Sequence, residues 1–134
     1  MSHSKMTDER TIRVIEFSGK QVDWAGWSEK FLARAHLKGY QDVLLGDEKV
    51  PNDDESLDLS TDEGKAGKKA RDQNVAAYVD LILSITNETE AGRVAFQIVK
   101  GAKPKTLKRG DAKLAWKCLC DKFESKSANL HHRR

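Results

Sequence analysis

Four stretches of the chain place apolar residues on one helical face, and the first lies near the N-terminus. Its apolar side chains recur at i, i+3, i+7 and i+11, in the order Trp24, Trp27, Phe31 and Ala35. Asp23 can accept hydrogen bonds from free N–H groups of a first turn, and Gly39 suits a left-handed position after a last turn. The pattern therefore predicts a helix capped by Asp23 and ended by Gly39. We also expect Gly26 to permit close backbone packing beside the two tryptophans.

The middle of the chain predicts two further helices. The second runs from about Lys68 to Ile85 and shares one apolar face among Ala70, Ala77, Tyr78, Leu81 and Ile85, with Ile82 beside it. The third repeats apolar residues at i, i+3, i+4, i+7 and i+8, namely Ala91, Val94, Ala95, Ile98 and Val99. Asn87 and Glu90 have the spacing of a capping box, which predicts Asn87 as the N-cap of the third helix. Gly101 predicts its end.

A fourth helix and a short extended segment complete the predicted elements. Asp111 is the expected cap of the fourth helix, whose apolar side chains are Ala112, Ala115, Trp116, Leu119, Cys120 and Phe123. Residues 11–17 alternate apolar and polar side chains and predict a short extended piece that ends at Ser18-Gly19. Short connections between helices favour an orthogonal or up-down bundle.

These elements predict an all-α fold: a small bundle of about four to five helices with a short extended N-terminal segment and a long acidic loop. The domain is expected over residues 12–125, with the loop at 41–66, a disordered stretch at 1–11 and a basic tail at 126–134. One core cluster is expected from the residues that lie on the apolar faces, namely Trp24, Phe31, Tyr78, Leu81, Val94, Ile98, Trp116, Leu119 and Phe123.

Charge is distributed unevenly along the 134 residues, although the net charge is only +3. Residues 41–66 carry nine acidic and two basic side chains, a balance of −7, whereas residues 100–134 carry eleven basic and three acidic ones, a balance of +8. Such asymmetry predicts a solvated acidic segment and a basic end able to meet a polyanion. The basic side chains could equally serve solubility or pair with the acidic loop of the same or a neighbouring chain.

The sequence offers little support for catalysis or metal binding. Cys118 and Cys120 would point roughly 200° apart on a helix, and zinc sites use wider spacing with a second ligand pair. We expect one buried and one exposed cysteine and neither a metal site nor a cofactor. The histidines are His3, His36, His131 and His132, and His36 has no nucleophile or carboxylate at catalytic spacing. No glycine-rich phosphate-binding motif is present. We therefore expect that the protein is not an enzyme and that it binds no small-molecule ligand.

Hydropathy and cysteine content predict a cytoplasmic protein without a membrane partner. The longest apolar uncharged stretch, Leu81 to Asn87, is too short to span a bilayer. The first ten residues lack the apolar centre of a signal peptide. Two cysteines in 134 residues are too few for a disulfide scaffold.

Two segments resemble the Gag polyproteins of copia-type LTR retrotransposons. Phe17-Ser18-Gly19, followed by Trp24, Trp27 and the run 31–35, is similar to the phenylalanine-x-glycine step and tryptophan-bearing first helix that open those proteins. The run 110–119 with Phe123 is similar to their alanine–tryptophan–leucine–aromatic helix. The resemblance spans roughly residues 12–128. The core and motif residues that pattern and resemblance single out are Phe17, Gly19, Trp24, Trp27, Phe31, Tyr78, Leu81, Ala112, Trp116, Leu119 and Phe123.

The resemblance implies a capsid N-terminal domain, non-enzymatic and all-helical, that self-associates weakly and contributes to particles. Gag of this family usually continues with further capsid helices and often ends in an RNA-gripping zinc knuckle. No C-x2-C-x4-H-x4-C motif is present here, so we expect a truncated, decayed or excised piece. Two alternatives remain open. One is a non-specific RNA-binding module that uses the basic region 100–134, with contacts from Lys103, Lys105, Lys108 and Arg109. The other is a domesticated protein–protein interaction domain on the same fold.

Overall fold

The computed structural model describes residues 16–124, and within that range the chain forms five helices. They are α1 (Gln21–Lys38), α2 (Gln41–Leu45), α3 (Asp62–Leu83), α4 (Glu90–Lys100) and α5 (Ala112–Phe123). The predicted all-α bundle is confirmed. Helix α5 is central, because it contacts α2, α3 and α4. The predicted disordered stretch 1–11 and the basic tail 126–134 lie outside the described residues.

Helix α1 begins earlier than the sequence predicts. Lys20 occupies its N-cap position, and Asp23 lies inside the first turn, where its carboxylate accepts a 2.6 Å hydrogen bond from the Ser18 hydroxyl. The prediction that Asp23 is the cap is therefore wrong. The chain turns at Gly19, which has a φ of +85° and packs so closely on the first turn of α4 that a Cβ there would lie 2.2 Å from a carbonyl oxygen. The predicted end of α1 is confirmed, since Gly39 adopts a φ of +86°.

The acidic loop is shorter than the predicted 41–66. Residues 41–45 form α2, because Val43 and Leu44 can bury their side chains in the core. At the other end, Thr61 caps α3 by accepting a 2.9 Å hydrogen bond from the backbone N–H of Gly64. The two acidic residues that follow Thr61 lie in the first turn, where their negative charges interact favourably with the positive end of the helix dipole. Helix α3 therefore begins at Asp62 rather than near Lys68, and the loop covers residues 46–61.

The sequence predicts the N-cap of α5 correctly and the N-cap of α4 wrongly. Asp111 caps α5 as predicted, because its carboxylate accepts a 3.1 Å hydrogen bond from the N–H of Leu114. Gly101 directly follows α4, also as predicted. The cap of α4 is Thr89 rather than Asn87, since the Thr89 hydroxyl accepts from the N–H of Gly92 at 3.0 Å.

Residue 85 lies beyond α3 and pairs with Phe17, while residues 11–15 of the predicted extended segment lie outside the described residues. The backbone N–H of Phe17 donates to the carbonyl of Ser84 at 2.6 Å, and the N–H of Thr86 donates to the carbonyl of Phe17 at 3.1 Å. These bonds form a single parallel bridge between Phe17 and Ile85. The prediction that the second helix extends to Ile85 is wrong, because this backbone is used for pairing instead.

One aromatic cluster occupies the centre of the core. Its members come from the N-terminal segment, α1 and α5: Phe17, Trp24, Trp27, Phe31, Trp116 and Phe123. The ring centroids of Trp24 and Trp116 lie 5.5 Å apart, and those of Phe17 and Trp27 lie 4.9 Å apart in a stacked arrangement. Such contacts between aromatic rings stabilise the fold by more than the burial of their apolar surface alone would. The aromatic cluster therefore joins the two ends of the described chain.

Two packing expectations are wrong. Val94 was expected in the core but is 47% exposed, because α4 buries a narrow arc around Ala95 and Val99 and leaves Val94 at its edge. Ile98 is only partly buried against the core. Gly26 does not mediate close backbone packing, since a Cβ built there would meet no atom within 4 Å.

Candidate nucleic-acid interface

The basic loop, defined here as residues 101–111, joins α4 to α5 and is fixed from α3. The buried side-chain amide of Asn74 donates to the carbonyl of Gly110 at 3.0 Å and accepts from the N–H of Ala112 at 2.9 Å. Gly110 has a φ of +135° and lies against the ring of Tyr78, where a Cβ would come within 2.5 Å of a ring carbon. A residue other than glycine would therefore displace the loop from this position.

Further contacts hold the basic loop to its own base and to the acidic loop. The N–H of Asp111 donates to the carbonyl of Ala102 at 2.9 Å, and the side chain of Leu107 is buried. The carboxylate of Asp53 accepts from the backbone N–H of Lys108 at 2.8 Å, while the N–H of Asp53 donates to the carbonyl of Thr106 at 2.8 Å. The two oppositely charged loops thus meet through one backbone–backbone hydrogen bond and one from a backbone N–H to the Asp53 carboxylate.

The predicted nucleic-acid contacts all project from this fixed loop into solvent. They are Lys103, Lys105, Lys108 and Arg109. Among residues 16–124, none of the four forms an ion pair, whereas Lys117 on α5 pairs with Asp121 at 3.2 Å. The loop contains no aromatic side chain, so bases would have nothing to stack on. The charge of this surface can attract phosphate groups.

A groove with the opposite charge lies beside the first turn of α3. Its volume is about 700 Å³, and its walls include Glu48, Glu55, Asp58 and Glu63 together with a single lysine, Lys49. Phosphate would be repelled there, since like charges at close range are unfavourable. Of the two loops, only the basic loop would therefore attract a polyanion.

A charge cluster around the buried carboxylate of Asp80, between α1 and α3, was missed by the sequence analysis. One carboxylate oxygen of Asp80 accepts from the Tyr40 hydroxyl at 2.7 Å, from Arg34 Nε at 3.2 Å and from Lys38 Nζ at 3.3 Å. Burial, followed by the hydrogen bond to Asp80, raises the pKa of Tyr40 above its usual value. No local signal could have found this site, because the three donors lie 40 to 46 residues before Asp80 in the chain. The cluster ties α1 to α3 through one shared acceptor.

The cysteines and the described histidine form no recognisable reactive centre. Cys118 and Cys120 are free and both partly buried, so the prediction of one buried and one exposed cysteine is wrong. Burial, together with Glu124 and Asp121 nearby, raises the pKa of Cys120 to about 12 and keeps the thiol protonated. His36 is exposed, with Nδ1 3.1 Å from the side-chain oxygen of Gln41.

Metal binding has no support in the part of the chain that the structure describes. Across residues 16–124, no three His, Cys, Asp or Glu side chains are grouped so that they could hold a metal ion. His3, His131 and His132 lie outside the described residues.

The core and motif residues predicted from the sequence are brought together rather than scattered. Each of the core and motif residues is buried, and all but Gly19 belong to a single hydrophobic cluster. They contribute packing rather than chemistry, because apolar and aromatic side chains predominate among them.

Comparison of the chain with models of protein families, with curated proteins and with solved structures finds no match. Of the helices within residues 16–124, none combines the length and the apolar character needed to cross a membrane.

Proposed function

We propose that the chain is a non-enzymatic structural module that associates weakly with copies of itself in the cytoplasm. This is the role implied by its resemblance to the capsid N-terminal region of copia-type Gag proteins. The observation that supports the proposal is the meeting of the two resembling segments in the aromatic cluster. The ring centroids of Trp24 and Trp116 are 5.5 Å apart, and those of Phe17 and Phe123 are 5.0 Å apart.

This contact matters because each segment alone is only an amphipathic helix with a tryptophan. In the fold the two segments contribute to one buried cluster, as two motifs of a single domain do. A Gag-like structural module accounts for both the order of the motifs along the chain and their packing. Its interfaces are expected to be individually weak, since a shell uses many of them.

Sedimentation velocity over a rising concentration series tests self-association. The expected result is a monomer in dilute solution and reversible oligomers as the concentration approaches about 1 mM, which corresponds to only about −4 kcal/mol per contact. Electron microscopy of the concentrated sample, with and without RNA, would then show whether the oligomers are ordered. A strictly monomeric protein at about 1 mM would contradict the proposal.

Non-specific RNA binding is the second candidate function, and the basic loop favours it. Its four exposed cations are held on a backbone that Asn74 and Gly110 fix, so little ordering is needed before they meet phosphate. Binding through them should be weak and independent of sequence. Its affinity should fall linearly with salt on logarithmic axes, because counterions are released.

A titration of single-stranded RNA at low and moderate salt tests this candidate. One variant changes Lys103, Lys105 and Lys108 to Glu. The control changes three exposed lysines away from the loop, Lys20, Lys65 and Lys69, so both variants lose the same charge. The loop variant should lose binding and the control should retain most of it. Equal losses would mean that only net charge matters. If neither the wild type nor the variants bind RNA at low salt, RNA is not a partner of the chain. A protein partner is then the alternative.

A further inference from the structure

The acidic groove beside the first turn of α3 has a preformed shape. Arg71 of α3 donates to the backbone carbonyls of Asn52 and Glu55, the latter at 2.6 Å, and so holds the loop that forms one wall. Gly64 in the first turn of α3 packs so closely on Asp58 that a Cβ there would lie 1.8 Å from its carbonyl oxygen. The groove therefore needs little reordering before it accepts a partner.

The carboxylates of the acidic groove form no ion pairs in the part of the chain that the structure describes. All of them are exposed, and they belong to Glu48, Glu55, Asp58 and Glu63. Pro51 and Leu57 add apolar surface to the lining, which suits the aliphatic part of a lysine side chain. The groove, of about 700 Å³, is thus fit to receive basic side chains.

The basic loop has the complementary charge, and its backbone is fixed as well. Asn74 and Gly110 hold the loop in place, so its four exposed cations project from a rigid support. Within one chain, Asp53 of the acidic loop bonds to the backbone of the basic loop and not to its side-chain cations. Each chain therefore presents two rigid surfaces of opposite charge that do not neutralise each other.

We infer that the basic loop of one copy of the chain docks in the acidic groove of a second copy. Charges of opposite sign then meet, and no charged group faces its own counterpart, because the contact joins two different surfaces. Such a heterologous contact leaves a free loop at one end of the pair and a free groove at the other, so further copies can add. The contact supplies an interface for the proposed self-association, on which this inference rests.

The exposure of these charges sets the strength of the contact and its response to salt. Exposed ion pairs contribute little individually, and salt screens them, so the contact is weak. Raising the salt concentration from about 0.05 M to about 0.5 M should weaken association of the full chain at least about tenfold. Association through apolar surface would instead be unchanged or strengthened, and that result would contradict the inference.

Two variants that each lose one side of the contact test it by complementation. The loop variant changes Lys103, Lys105 and Lys108 to Gln. The groove variant changes Glu48, Glu55 and Glu63 to Gln. In sedimentation velocity of the full chain, each variant alone should self-associate at least about tenfold more weakly than wild type. Mixed together, they should form a one-to-one complex, because the intact loop of the groove variant fits the intact groove of the loop variant.

A matched control removes three cations away from both surfaces. It changes the exposed residues Lys20, Lys30 and Lys122 to Gln and should associate as wild type does. Net charge cannot explain complementation, since the loop variant is close to neutral and the groove variant is more positive than wild type. All samples are freed of nucleic acid, because RNA that bridges two basic loops would imitate the contact. The variants should keep similar melting temperatures, as every substituted side chain is exposed.

The possible failures separate the inference from the proposed function. If wild type associates and the loop and groove variants associate equally well, self-association stands but uses another surface. If only one of the two variants loses association, or if their mixture does not regain it, the loop does not dock in the groove. If the control loses as much as the loop variant, net charge alone is responsible and the inference is wrong. If wild type stays monomeric up to about 1 mM, self-association itself fails.

Discussion

The hydroxyl of Tyr40 donates a 2.7 Å hydrogen bond to the buried carboxylate of Asp80, across 40 residues of sequence. Arg34 and Lys38 donate to the same oxygen from the last turns of α1. Removing one member of a buried charged pair lowers the free energy of unfolding far more than removing an exposed pair does. The tie between α1 and α3 therefore depends strongly on Asp80.

We expect Asp80→Ala to lower the free energy of unfolding by about 3–5 kcal/mol, because the Tyr40 hydroxyl and the Arg34 guanidinium lose their shared buried acceptor. The matched control is Asp72→Ala, which removes an exposed carboxylate paired with Lys68 on the surface of α3. That change should cost no more than about 0.5 kcal/mol. Urea denaturation measures both, and similar losses for the two variants would show that the cluster is not a structural tie.

We expect the protein to lose stability at alkaline pH because of Tyr40. Burial and the hydrogen bond to Asp80 raise its pKa above the usual 10.0, so the folded state holds this proton more tightly than the unfolded state. The stabilisation is complete below pH 10 and is lost as the pH rises above it. Tyr78 adds to the effect, since burial raises its pKa as well.

Melting temperatures between about pH 8 and pH 12 measure this dependence. Tyr40→Phe should be less stable than wild type near neutral pH, by about 1–2 kcal/mol, because a buried hydrogen bond is lost. Above pH 10 its stability should fall less steeply than that of wild type. Parallel curves for the two proteins would contradict the role assigned to Tyr40.

We expect Trp116→Ala to destabilise the protein by about 3–5 kcal/mol, because it removes the ring that contacts Trp24, Trp27 and Phe31 in the aromatic cluster. Val94→Ala is the control and should change the unfolding free energy by less than about 1 kcal/mol, since Val94 is half-exposed at the edge of α4. Thermal unfolding in dilute solution compares them. An unchanged melting temperature for Trp116→Ala would refute the packing described here.

We expect Gly26→Ala to stabilise the monomer by about 0.5–1 kcal/mol. The new methyl group meets no atom within 4 Å, and alanine restricts the unfolded chain more than glycine does. Gly92→Ala provides the contrast, because its Cβ would lie 2.2 Å from the carbonyl oxygen of Thr86. It should destabilise by about 1–3 kcal/mol. The prediction fails if both glycines respond with the same sign in chemical denaturation.

The sequence by itself determined the features that depend on neighbours within one or two helical turns. The spacing of Trp24, Trp27 and Phe31 identified the buried face of α1, because a helix repeats every 3.6 residues. Asp111 was identified as a cap and Gly39 as an end, since both act on backbone groups only a few residues away. These local rules were sufficient for the all-α class and for most of the core.

Only the tertiary structure decided between residues that are equally suitable, by local rules, as a helix cap or as a buried position. Asn87 and Thr89 are both acceptable caps for α4, and the close fit of Gly92 against Thr86 accompanies the choice of Thr89. Likewise, the apolar stripe of α4 includes Val94, but a cylinder that packs on one side buries only part of its stripe.

The polar ties were decided entirely by the fold. Asp80 meets its partners across 40 to 46 residues, and Asn74 reaches the basic loop across 36 residues and the start of α5 across 38. A hydrogen bond depends on the distance between two atoms in space, and sequence separation carries no information about that distance once the chain has turned back on itself. Helical periodicity therefore predicted which faces are apolar, whereas the packing of those faces determined which polar groups meet.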